Sequence, residues 1–132
     1  MFVTGSGSFW RNSGDLILGD GGSGNSIVIT NGGTLFSSKS YISYTPGSSN
    51  NSVIVARTGS VWSNTGVLVI GNASSASLTV LDDVIVSASK VLRMGASGIL
   101  QGNGTVVGNL TNGGVVAPAN SHDTLTVDGN FN

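Results

Sequence analysis

His122 is the only histidine of the chain, and it stands between Ser121 and Asp123. These are the residue types of a nucleophilic triad, but a triad is a set of spatial roles that three consecutive residues cannot fill. The expectation for these three is a polar loop near the C-terminus, just beyond Pro118. Asp82 and Asp83 form the one adjacent acidic pair, a fragment of what an enzyme acting on a polysaccharide would need. An internal repeat, set out below, places Arg57 one unit away from them. An ion pair between units is therefore the expected use, contributing about 0.2–1 kcal/mol if exposed. With six acidic and five basic residues in all, no face can carry a dense catalytic constellation, and no catalytic residue is assigned. Gly21–Ile27 approximates the glycine-rich calcium nonapeptide of some solenoids. It holds no carboxylate and does not recur in tandem, and a hard cation without carboxylates binds poorly. No metal site and no cofactor are expected. Cysteine is absent, which removes disulfides and thiol redox chemistry. Sequons of the form Asn-x-Ser/Thr begin at Asn50, Asn72, Asn103 and Asn109, as a chain rich in these residues produces by accident.

One set of side chains has the spacing of a contact site. Trp10, Phe36 and Trp62 recur at intervals of 26 residues, each just after a residue expected to face inward: Phe9, Leu35 and Val61. Strict alternation turns the three aromatics outward, about 4.8 Å apart. They would make a flat apolar strip suited to sugar stacking or protein contact. The competing expectation is a corner at these positions, with both neighbours packed inward. Ser87 ends the strip in the fourth unit.

The element that must position such a column is the repeat itself. Asn25-Ser26-Ile27-Val28-Ile29-Thr30 returns as Asn51-Ser52-Val53-Ile54-Val55-Ala56, and 25 residues further on Val53 and Val55 meet Leu78 and Val80. Each unit holds three short runs of period two separated by Gly, Asn and Ser, which predicts three strands. A flat meander would need a cover, and no helix is available to supply one. Coiling each unit into one turn stacks equivalent strands in parallel around a continuous core. The predicted fold is all-β: a right-handed parallel β-helix of about five three-sided rungs of 25–26 residues, rising roughly 24 Å. It forms a single domain over 1–132, with regular repeats in 1–97 and degenerate rungs in 98–132. The expected inward columns are Val3, Ile29, Val55, Val80; Phe9, Leu35, Val61, Val86; Leu16, Ile42, Leu68; and Leu18, Tyr44, Ile70. Gly7, Gly33 and Gly59 mark a corner that needs positive φ or close backbone approach. Asn25 above Asn51 reads as an amide ladder.

Composition agrees. Gly (21), Ser (21), Asn (13) and Thr (11) make half the chain, beside 16 Val, 8 Ile, seven Ala, one Gln and no Glu. That balance excludes a helical bundle or a doubly wound α/β domain. A hydrophobic fraction of 39% against 8% charged residues argues against disorder. A net charge of −1 gives no electrostatic footprint for nucleic acid or an anionic membrane. No apolar run approaches the roughly 20 residues of a membrane-spanning helix. No signal peptide opens the chain; Met1 leads straight into patterned sequence, as in an expressed fragment.

The phrases Val3-Thr4-Gly5-Ser6-Gly7-Ser8-Phe9-Trp10, Ser13-Gly14-Asp15-Leu16 and Gly22-Ser23-Gly24-Asn25-Ser26 resemble the repeat of bacterial type V secreted (autotransporter) passengers and PEP-CTERM surface proteins. Gly102–Leu110 through Leu125–Phe131 resembles the closing stretch of such passengers, with Ala117-Pro118-Ala119-Asn120-Ser121 in place of the usual Ala-Pro-Gly-Asn-Ser. The fourth unit departs from the pattern at Asp82-Asp83 and Ser87. The resemblance implies secretion, a β-helical passenger and a role at the bacterial surface, and it transfers no catalytic residues. The expected function is a non-enzymatic stalk, adhesive passenger or fibre subunit. The alternative is a carbohydrate-binding module or a polysaccharide-acting enzyme on the same fold. Open terminal rungs present unpaired peptide groups, so self-association end to end is expected, with surface glycans or other proteins as further partners.

Overall fold

In the computed structural model, which describes residues 1–132, runs of β-branched residues between Gly, Asn and Ser corners form seventeen strands and no helix. All pairing is parallel. The first sheet runs β1 (Phe2–Thr4), β4 (Ser26–Thr30), β7 (Asn51–Ala56), β10 (Ala76–Val80), β13 (Gly98–Gly102), β16 (Val115–Pro118). The second runs β2 (Phe9–Arg11), β5 (Thr34–Ser37), β8 (Val61–Asn64), β11 (Ile85–Ala88), β14 (Thr105–Val107), β17 (Thr126–Asp128). The third runs β3 (Leu16–Leu18), β6 (Ser40–Ile42), β9 (Leu68–Ile70), β12 (Leu92–Met94), β15 (Leu110–Asn112). Every third strand lies beside its predecessor, so the chain is a three-sided β-solenoid of about five turns. A partial last turn closes with a bridge from Phe131 to Leu110.

The interior is a single apolar cluster built from stacked columns. In the first sheet Val3, Ile29, Val55 and Val80 share an inward column, as expected. The second sheet differs from expectation by one residue. Its inward column is Trp10, Leu35, Trp62, Val86, Val106 and Val127, while Phe9, Thr34 and Val61 share the outward one. In the third sheet Ser40, not Ile42, stacks between Leu16 and Leu68; Ile42 stacks between Leu18 and Ile70, and Tyr44 lies beyond β6, exposed.

Corner length is the cause. The corner after the first sheet takes residues 5–8 in rung 1 and 57–60 in rung 3, but only 31–33 in rung 2. The next corner takes 12–15 and 64–67, but only 37–39 in rung 2. Rung 2 recovers both residues in its third loop, 43–51 against 19–25 in rung 1. The repeat length stays at 26 while the register inside it shifts.

Two buried polar clusters hold this shifted rung. Asn64 Oδ1 accepts from Ser37 Oγ (2.8 Å) and Ser40 Oγ (2.5 Å), and Trp62 Nε1–H donates to Ser37 Oγ (3.3 Å). Asn51 accepts from the side chain and backbone N–H of Asn25, each at 2.9 Å, so the expected amide ladder is present. Its own amide nitrogen donates to Ser43 Oγ and to the Ser48 carbonyl. No buried side-chain N or O atom lacks a partner. At the glycine corner, Gly7 and Gly59 take positive φ (82° and 86°), while a Cβ on Gly33 would overlap the Val3 carbonyl oxygen.

The degenerate stretch forms real rungs. Ile99 pairs with Val115 only 16 residues on, whereas Ser77 pairs with Ile99 across 22. The rung contracts because its corners shrink to Asn103-Gly104, Gly108-Asn109 and Gly113-Gly114.

Candidate functional site

The expected aromatic strip does not assemble. Trp62 is fully buried in the interior, and Trp10 is half-buried beneath the same column at the open end of rung 1. Phe36 faces outward one residue away, with Arg11 Cζ lying 5.3 Å from its ring centroid in a cation–π contact. The short corner before β5 brings Leu35, not Phe36, into register with the two tryptophans.

The remaining candidates are built into contacts with neighbouring turns or within their own loop. Asp82 and Asp83 sit at a corner with φ of 59° and 56°. Asp82 Oδ2 accepts the backbone N–H of Arg57 (3.1 Å), and its own N–H donates to Asn103 Oδ1 (2.9 Å). The expected guanidinium pair is therefore replaced by a carboxylate-to-backbone strut. The one ion pair in the molecule is Lys39–Asp15 at 3.9 Å, roughly half exposed. In the loop between β16 and β17, Ser121 Oγ lies 3.2 Å from His122 Nδ1, but the Asp123 carboxylate accepts from Asn120 Nδ2 at 2.8 Å. The histidine thus gains a hydroxyl neighbour and no orienting carboxylate, so triad geometry is not formed.

The Gly21–Ile27 segment directs its polar groups to the next rung. Gly21 N–H donates to Thr45 Oγ1 (2.8 Å) and Ser23 Oγ to the Gly47 carbonyl (2.9 Å). All four sequon asparagines behave alike. Asn50 Oδ1 accepts from Ser75 Oγ, Asn72 Nδ2 donates to the Tyr44 carbonyl, and Asn103 and Asn109 accept the backbone N–H groups of Asp82 and Asn130.

One surface escaped the sequence reading, and a second is expected there only as an open terminal rung. A shallow groove of about 220 Å³ crosses the outer face of the third sheet, lined by Tyr41, Val67, Val69, Val91 and Arg93. At the rung-1 end, an open recess of about 460 Å³ is lined by Met1, Trp10, Leu16, Leu18 and the buried Ile27. The groove depends on register, which the fixed offset of 26 conceals. Comparison with protein-family models, with curated proteins and with solved structures finds no match to this chain.

Proposed function

We propose that the chain is a non-enzymatic structural β-solenoid working outside the cell, as part of a bacterial surface stalk or adhesive passenger. The observation that carries this reading is the use made of its polar side chains. Asp82, Asn103, Asn109, Asn50 and Asn72, residues whose types could do chemistry or take a modification, bond to the rung above or below. Such ladders stiffen a solenoid along its axis, because each repeat contacts only its neighbours. The likeness of the repeat phrases to secreted passengers supports the location. The experiment is incubation of the purified chain with a panel of plant and bacterial polysaccharides, following release of reducing ends or unsaturated uronates. No turnover is expected; turnover abolished by Asp82→Asn or His122→Ala would overturn the reading. Antibody labelling of intact cells of the source bacterium is expected to be positive, and label confined to permeabilised cells would refute the location.

The groove over Tyr41, Val69 and Arg93 favours a second reading, carbohydrate binding. An aromatic face beside apolar ground and a cation suits an acidic sugar. Oligouronate titration would then shift the Tyr41 ring resonances, and Tyr41→Ala would remove the response.

A further inference from the structure

We propose that copies of this chain join head to tail, the last rung of one seating on the open first rung of the next, with Asp128 of the first copy beside Arg11 of the second. The proposal rests on the structural reading above and adds to it the partner, the polarity and the contact.

Strand edges come first. β1, β2 and β3 are the outer strands of the three sheets at one end, and β16 and β17 are outer strands at the other. Alternate residues of a parallel strand bond to opposite sides. Val28 N–H donates to the Met1 carbonyl, Gly5 N–H to Thr30, Thr34 N–H to Ser8 and Asn12 N–H to Phe36. The N–H groups of Phe2, Thr4, Phe9 and Arg11 therefore point away from the solenoid, unpaired, while the Thr4 carbonyl accepts from Ser8 Oγ at 2.6 Å. Apolar surface gathers at the same ends. Of nine exposed large hydrophobic residues, Met1, Phe2, Phe9 and Ile17 belong to rung 1, and Val115 and Phe131 to the last turn.

The register names the occupant. The inward columns that begin with Val3, Trp10 and Leu16 end with Pro118, Val127 and Phe131. One further step of about 4.8 Å would lay each ending residue under the residue that begins its column. Outside, the second-sheet column runs Arg11, Phe36, Ser63, Ser87, Val107, Asp128, so opposite charges occupy its two ends. Asp128 makes no ion pair in its own copy, although Lys90 lines the same groove. Two first rungs meeting face to face would run their strands antiparallel and bring no carboxylate of the last turn to Arg11. Pro118 removes one donor from the β16 edge. Ala119 N–H bonds back to Gly102, so the proline's side faces outward, and the junction depends most on the second and third sheets.

Such a contact uses different surfaces on the two copies, so it propagates as a filament instead of closing. The absence of cysteine makes the test clean. In-register residues on adjacent parallel strands fall within disulfide reach, whereas Arg11 and Asp128 of one copy are separated by five strand spacings, roughly 24 Å. The Arg11→Cys/Asp128→Cys double variant, concentrated and mildly oxidised, is expected to give a reducible ladder of dimers, trimers and longer chains. Each single variant should stay at least tenfold less cross-linked. Dimers from Arg11→Cys alone in the same yield would show face-to-face pairing and overturn the proposal, as would monomers throughout from a double variant that keeps its β circular dichroism. Asp128→Arg should lose assembly, measured by light scattering without any thiol, and Arg11→Asp/Asp128→Arg should restore it. A chain that fails these tests yet turns over no polysaccharide leaves the structural reading standing, so the two can fail separately.

Discussion

Trp62 and Trp10 share a column but not an environment. Trp62 is fully enclosed and donates its indole N–H to Ser37, while Trp10 meets the core from an unroofed rung. The Trp10→Phe variant, which retains only Trp62, should give blue-shifted fluorescence that acrylamide scarcely quenches; Trp62→Phe should give the reverse. Equal quenching of the two would mean that the aromatics face the same way. Truncating a fully packed tryptophan removes its transfer energy and leaves a cavity, so Trp62→Ala should cost about 3–5 kcal/mol in urea unfolding. Asn64 poses a related problem. Its Oδ1 satisfies two buried hydroxyls, and its amide reaches the Ser87 carbonyl at 3.1 Å. Asn64→Leu would leave the Ser37 and Ser40 hydroxyls, 2.9 Å apart, with one buried donor too many and remove the amide from the Ser87 carbonyl, at about 1–3 kcal/mol in all, and its denaturation midpoint should fall despite the gain in apolar volume.

At the scale of the strand and corner, most of the fold was legible from residues alone. The run Ile27 to Thr30 and its return at Val53 to Ala56 predicted parallel stacking, and β4 and β7 pair in that register. Val3, Ile29, Val55 and Val80 were placed correctly for the same reason. Trp10 and Trp62 were not: they turn inward while Phe36 faces outward as expected, because two corners of rung 2 each lose a residue that its third loop regains, and a sum of lengths cannot reveal compensating changes. The contraction of rung 5 was hidden differently: once loops shrink to two residues, no constant offset aligns Leu100 with Val116. Those tight corners make a prediction. Gly102 has φ of 139°, and a Cβ there would overlap the Val80 carbonyl oxygen of the rung before. Only glycine adopts that backbone readily, so Gly102→Ala should lower stability by about 2 kcal/mol or more, whereas Ser13→Ala, at an exposed corner, should change it by less than about 0.5 kcal/mol. A comparable shift for both in thermal or urea unfolding would mean that corner geometry is not what sets the rung length.

For the whole molecule, a one-dimensional stack has no single stability. Each rung is held by its neighbours, so inner rungs open only when an outer one has already gone. Rungs 3 and 4 contain Trp62, Leu68, Ile70, Leu78, Val86 and Leu92, all enclosed, while the first rung keeps Trp10, Leu16 and Leu18 only partly covered. Amide exchange at low protein concentration should therefore be slowest in β7 to β12 and quicken toward both ends. Concentration then separates intrinsic fraying from assembly. If copies join through their terminal rungs, raising it should slow exchange at Phe2, Thr4, Phe9 and Arg11 and, in step, at β17, without altering β7 to β12. Protection that rises at the first rung alone would instead indicate a closed dimer of first rungs, because a polar stack must cover one of each end at every junction. The ratio of the two gains reports the geometry without any mutation: near one for head-to-tail chains, and far from one for any contact that pairs like with like.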